Sequence, residues 1–302
     1  MEILVVGTVS NSTSDLQKDL SRINKSFKNI GNLHFFIVES DSKNNTTQVL
    51  QNLSKILNLK FVTLGNLKKT FPERIERLRF CRNIYVEEIR KTYKNYKKWD
   101  YIVVADLDGV NKSLTYKSIK SCFQSTEWDA CFANQTFGYY DLYALRADKW
   151  LNENCFSILN DLKLRQGVKI EKKSRILRFI LNFYYSDKLR KKAIYNKMLR
   201  INKYSPWIQV NSAFGGLAIY KIDLFLKFNY DFMNLEREIY SEHIDFNYKC
   251  VQNAANLFIN PRLINCHYNE YNLNKIWLIR FLRSLLNEFS EIRNILNSKL
   301  NY

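Results

Sequence analysis

The chain has 302 residues, of which 46% are hydrophobic and 25% charged, values that exclude a disordered or fibrous protein. Lys and Arg number 47 against 29 Asp and Glu, a net charge of +18. This length suits about two domains, or one α/β domain with an appendage, and needs no disulfide staples.

The pattern predicts alternating strands and helices. Residues 2–9 form an apolar run that reads as a first strand, and Leu16, Leu20 and Ile23 recur at helical spacing. Leu33–Val38 reads as a second strand and ends in Glu39-Ser-Asp-Ser42. Val49, Leu50, Leu53, Ile56 and Leu57 mark a helix, and Phe61–Leu64 a third strand. Pro72 stands where a long helix to about Lys94 would open. Tyr101–Ala105 is a fully apolar strand running into Asp106-Leu-Asp-Gly109. Buried strands alternating with helices predict an α/β fold with a mainly parallel, doubly wound sheet.

The second half is less regular. Trp128–Ala133 and Tyr140–Leu145 read as strands, and Val210–Tyr220 as a further run. Ser241 opens a helix, Leu257–Ile264 is a strand, and 272–300 an amphipathic helix. Its stripe of Leu278, Leu282, Leu285, Phe289, Ile292 and Leu296 is expected to pack on the domain. From Lys163 to Lys203 there are 14 Lys/Arg against Glu171 and Asp187, a net +12, so the rest of the chain holds only +6. Ile176, Leu177, Phe179, Ile180 and Phe183 interleave with those cations, a composition suited to an anionic membrane surface, to nucleic acid, or to a solvated hairpin.

No apolar run reaches the ~18–20 residues of a membrane span, and the start lacks a signal-peptide pattern. Cys81, Cys122, Cys131, Cys155, Cys250 and Cys266 show no CxxC and no zinc spacing. A reduced, cytoplasmic protein, peripheral on the inner membrane, is the expectation.

The chemistry begins at Asp106 and Asp108. Two carboxylates one residue apart, where a buried strand ends, can share a hard cation such as Mg2+ or Mn2+ and leave room for phosphate oxygens. The plainer reading is an aspartate turn. Glu39 and Asp41 end another strand, where they could hold a base or ribose or simply turn the chain. Arg79 and Arg82 share one helix face and could fork a diphosphate, with Asn83 beside them, or form a solvated face.

In this order, Glu-Ser-Asp-Ser, Arg-Phe-Cys-Arg-Asn and a DxD after an apolar strand resemble a GT-A (Rossmann-like) glycosyltransferase. More narrowly the chain is similar to the cryptococcal capsule alpha-1,3-mannosyltransferase type and its bacterial relatives, over residues 2–145 and 208–267. The resemblance implies a nucleotide-sugar donor held by Thr8, Glu39, Asp41, Arg79, Arg82, Asn83, Asp106 and Leu107. It implies Mn2+ or Mg2+ on Asp106, Asp108 and His267, with Glu242 as general base and His243 as its alternate. Asp141, Asn211, Gly215 and Gly216 would line the sugar and acceptor side. Family members are retaining, a chemistry that needs no base at Glu242, and membrane-anchored.

The expected organisation is a nucleotide-sugar half at 1–150, a basic helical insert at 151–206, an acceptor half at 207–270 and a C-terminal helix at 271–302. The resemblance implies an acceptor that is a glycan or a lipid-linked glycan of surface polysaccharide synthesis. Nucleic acid is not expected, because no reader motif accompanies the basic segment. A sugar-phosphate nucleotidyltransferase would carry a glycine-rich loop after its first strand, and Gly7-Thr-Val-Ser-Asn has one glycine.

Overall fold

A computed structural model describes residues 1–124, 127–166, 174–231 and 241–300, and the side chains of 165, 166, 175 and 291–300 lie outside that description. So do Glu171 and its neighbours in the basic segment, and the Ile292 and Leu296 side chains of the tail stripe. The strands are β1 Glu2–Val9, β2 Asn32–Glu39, β3 Leu59–Thr63, β4 Tyr101–Ala105, β5 Ala130–Gln135, β6 Ile208–Gln209, β7 Leu217–Lys221 and β8 Leu257–Cys266. The α-helices are α1 Ser14–Phe27, α2 Thr46–Ser54, α3 Arg74–Tyr96, α4 Tyr116–Lys120, α5 Cys155–Gln166, α6 Arg175–Ala193, α7 Ile222–Lys227, α8 Glu242–Gln252, α9 Glu270–Leu273 and α10 Trp277–Leu300.

The strands form one sheet in the order β3-β2-β1-β4-β7-β5-β8-β6. β1 to β4 are mutually parallel, as their continuous apolar runs predict. β7 runs against both β4 and β5, and β6 against β8, so the sheet is parallel on one side and mixed on the other. β7 re-enters at the edge where β4 leaves, pairing Leu217 with Ala105, and needs no crossover helix. The segment after residue 206 thus completes the sheet begun by the first 150 residues.

Period-two alternation gives the sheet two cores. Leu4, Val6, Ile102 and Val104 face Cys81, Tyr85, Val86 and Ile89 of α3, together with Phe225 and Phe246. Ile3, Val5, Val103 and Ala105 face the other way, onto Leu16, Leu20 and Ile23 of α1 and Leu50 and Leu53 of α2. The arrangement is an α/β layered fold.

Three expectations are corrected. Tyr140–Leu145 is not a strand but a run of turns, because the Asp141 carboxylate accepts the Ala144 N–H three residues on, while its other oxygen accepts the distant Gly215 N–H. The long helix opens at Arg74 after Glu73, so Pro72 lies just outside it. Within the described part of the tail stripe, Leu278, Leu282 and Phe289 stay exposed and Leu285 is half-buried, so that part does not pack on the domain as a continuous face, while Trp277 and Phe281 turn toward α6. Among the described residues no helix is long and apolar enough to cross a membrane. All six cysteines are free and buried.

Candidate active site

The parallel strands bring their carboxyl ends to one edge. Glu39 from β2 and Asp106 following β4 arrive there, and β7 starts there from Gly215 and Gly216. The Asp106 N–H donates to the Gly216 carbonyl at 3.0 Å, and the Asn111 amide donates to the Asp106 carbonyl at 2.7 Å. Both glycines are required. Gly215 has φ +70° and Gly216 φ +85°, and a Cβ on Gly216 would lie 2.6 Å from Val110 Cγ1 and 3.0 Å from the Tyr140 hydroxyl. Behind them Gln135 and Asn265 both donate to the Gly215 carbonyl at 2.9 Å, and Asn265 also donates to Asn111 at 3.0 Å. This buried amide network holds the loop rigid.

The electrostatics single out the carboxylates. Burial raises Asp106, the nearby Asp108 raises it further, and it titrates at about 8 despite the opposing charge of Arg82. Asp108 stands exposed at the rim, and it too is raised, first by the partial loss of water around its carboxylate, against backbone N–H groups including that of Val110, with Asp15 and Glu270 adding negative charge. Asp19 on α1, accepting the Gly109 N–H at 2.8 Å, is raised by burial to about 7. No hydrogen bond reaches the Asp106 carboxylate among the described residues. Hard oxygen donors raised in this way fit a divalent cation, which would restore their ionised form. Among the described residues, however, no group of three or more His, Cys, Asp and Glu stands together to hold a metal. His267 is therefore not gathered with Asp106 and Asp108. It follows β8, three strands from β4, and its Nδ1 is hydrogen-bonded to Thr136 Oγ1 at 2.9 Å.

Across from the pair, α3 meets α8. Arg82 Nε donates to Glu242 Oε1 at 3.0 Å, Arg79 pairs with Asp245, and all four side chains are buried. The arginine face is thus neither solvated nor left open as a diphosphate fork. Burial alone would raise Glu242, but the charge of Arg82, its hydrogen bond and a backbone N–H hold it at about 2. A carboxylate so acidic is ill-matched to general-base work near neutral pH. Burial and the charge of Arg82 lower His243 to about 3, so it is a neutral ring, stacked on Phe214 at 3.8 Å. Arg82 lies 5.8 Å from the Phe214 centroid and 5.6 Å from that of Tyr230.

The remaining predicted residues divide. Asp141 faces the same site: burial raises it, its two N–H donors oppose this, and Glu242 and Arg82 both act on it. Glu39 is buried and accepts the Ser42 N–H at 3.1 Å. Asp41 accepts the Lys68 N–H at 2.8 Å and lies 3.6 Å from Arg77. Thr8 pairs with Val38 in the sheet, and the carbonyl of buried Leu107 accepts from Ser12 at 3.1 Å. Asn83 uses both ends of its amide on the Tyr230 backbone, at 3.2 and 2.9 Å, and so clamps a loop. Asn211 donates to Asp148 at 2.9 Å, outside the carboxylate group. Sequence reasoning missed Asp15 and Asp19, although their spacing of four beside the Leu16/Leu20 stripe was visible. It also missed Tyr140 and Tyr271, which stack at 5.4 Å and 11° next to the aspartates. Nothing local announces that pair.

No protein-family profile and no curated protein sequence matches the chain. Solved structures do resemble it. Mannosyltransferase PcManGT from Pyrobaculum calidifontis, in complex with GDP-Man and Mn2+, is 11% identical with a TM-score of 0.48, over 97% of this chain and 64% of that one. TarS 1–349 of S. aureus with UDP-GlcNAc is 13% identical with a TM-score of 0.45, over 86% and 56%. Glucosyl-3-phosphoglycerate synthase from Mycobacterium tuberculosis with UDP is 9% identical with a TM-score of 0.39, over 89% and 72%. The chain thus spans less than two thirds of the first two structures. Identities and scores this low leave function to be read from the site itself.

Proposed function

We propose that the chain is a metal-dependent glycosyltransferase of the GT-A class. It moves a sugar from a nucleotide-sugar donor to a hydroxyl of a glycan or lipid-linked glycan in surface polysaccharide synthesis, and is of the capsule mannosyltransferase type. The observation that carries this reading is the raised Asp106/Asp108 pair, leaving the central parallel strand at the edge where Asp141 and the Arg82–Glu242 pair also stand.

Asp106 and Asp108 would hold Mn2+ or Mg2+. Such an ion, when bound, supplies positive charge for a diphosphate leaving group. The chain's own groups do the rest. Gly215 and Gly216 let backbone approach the sugar, with no Cβ in the way. Asp141, fixed by two backbone N–H groups, offers its carboxylate to sugar hydroxyls. Glu242 fixes the Arg82 guanidinium, whose charge acts on Asp106. Glu39 and Asp41 stand at the end of β2, where the base and ribose of the donor would lie.

The test is a thermal-shift screen of UDP-, GDP-, CMP- and dTDP-sugars with Mn2+, followed by donor turnover. Stabilisation by one nucleotide class that depends on Mn2+, with sugar release or transfer, supports the reading. Turnover that survives both EDTA and the loss of Asp106 and Asp108 would overturn the metal role. Absence of any donor effect would overturn the enzyme class.

A further inference from the structure

Two helices carry bulky apolar residues away from the body of the fold. On α6, Ile176, Ile180 and Tyr184 recur every four residues, and Ile176 is 74% exposed. On α10, Leu278, Leu282 and Leu286 do the same, joined by Phe289, and Leu286 is 67% exposed. Different residues join the two helices. Phe179 meets Phe281 at 6.3 Å and Phe183 meets Trp277 at 5.9 Å. Of the apolar residues interleaved with the cations, Phe179 and Phe183 are thus turned inward between the helices.

Those two contacts run in opposite senses along the chain, so α6 and α10 are antiparallel. Each outward stripe sits about 100° from its inner residue, Ile180 from Phe179 and Leu282 from Phe281. In an antiparallel pair, equal rotations in the same sense place both stripes on one side. The result is a single apolar face. The polar groups go to the opposite side, where Arg178, Asn182, Arg283 and Asn287 line a cleft of about 720 Å3.

A run of large exposed apolar side chains on neighbouring helices marks an interaction surface. Its charge selects the partner. Lys188, Arg190, Lys191 and Lys192 crowd the last turns of α6, within the segment of net +12. A second copy of the chain would set like charge against like, whereas an anionic surface complements it. We propose that the α6–α10 pair docks on an anionic lipid bilayer, its apolar face at the headgroup–acyl boundary and the basic end of α6 on the phosphates. This does not depend on the reaction proposed above.

The test is co-sedimentation of the full chain with phosphatidylcholine vesicles and with vesicles containing phosphatidylglycerol. Binding is expected only to the anionic vesicles, falling as salt rises. Ile180→Ser with Leu282→Ser should weaken it by about tenfold or more while leaving the unfolding temperature unchanged, because both side chains are exposed. Lys191→Gln with Lys192→Gln should weaken it and flatten the salt dependence. Equal behaviour with both vesicle types overturns the proposal. So does binding that neither pair of changes alters, or a dimer in solution that the Ile180/Leu282 variant dissociates. Turnover is not read, so a failed donor screen leaves this result intact.

Discussion

Arg82 on α3 donates its Nε–H to Glu242 Oε1 on α8 at 3.0 Å, across 160 residues of chain, with both side chains buried. The pair ties the parallel side of the sheet to the segment that completes it. Removing one partner of a buried ion pair leaves the other uncompensated. Glu242→Gln should therefore destabilise the protein by about 3 kcal/mol. A Glu242→Leu, Arg82→Met double variant should recover part of that loss. Urea unfolding of the wild type, both single variants and the double checks this; a double variant as unstable as the sum of the singles would refute the pairing.

Acid should weaken the same region. His243 is lowered from 6.5 to about 3, and Glu242 from 4.5 to about 2. In each case the unfolded chain takes up the proton first. The stability from His243 is complete above pH 6.5 and is lost as pH falls toward 3; that from Glu242 is complete above pH 4.5 and is lost toward 2. Between pH 6 and 4, His243 should contribute a slope of up to about 1.4 kcal/mol per pH unit. His243→Phe, which keeps a ring against Phe214, should remove that slope in urea titrations at successive pH values. An unchanged slope would place the proton uptake elsewhere.

The aspartates act with the opposite sign. Asp106 is raised from 3.8 to about 8, so the folded metal-free protein keeps a proton that the unfolded chain has released. Stability from this source is present below pH 3.8 and is lost as pH rises to 8. Asp106→Asn should raise the unfolding temperature of the metal-free protein at pH 8. Mn2+ should raise that of the wild type and leave Asp106→Asn and Asp108→Asn unmoved. Both variants should lose donor turnover by about 100-fold or more. Equal Mn2+ shifts in all three proteins would remove the pair as a cation site.

Gly216 and Gly65 provide a matched comparison. Both have positive φ, +85° and +66°, but a Cβ on Gly65 meets nothing within 4 Å. Gly65→Ala should cost about 1 kcal/mol for the backbone conformation alone. Gly216→Ala should cost roughly 2–4 kcal/mol, because the Cβ also strikes Val110 and the Tyr140 hydroxyl. It should also displace Asp106 and lower turnover more than stability. Equal costs at the two sites would show that the loop yields.

Local pattern determined much of this protein. The apolar runs of β1, β2 and β4 marked buried parallel strands, because a strand covered on both faces has no polar side to show. Helical spacing located α1 and α2, and the carboxylates after β4 followed from chain direction alone. Ser241 announced α8, and its hydroxyl caps the helix. What only the tertiary structure decided concerns partners distant in the chain. Arg79 and Arg82 carry no mark saying whether phosphate or α8 carboxylates neutralise them; packing α3 on α8 answered with Asp245 and Glu242. The Tyr140–Tyr271 stack joins residues that share no local period. The tail stripe is amphipathic either way, and which side of α10 is covered depends on where Phe179 and Phe183 arrive. A side chain's pKa and exposure depend on the neighbours brought within a few ångströms, and neighbours far along the chain are set by packing, not by local sequence.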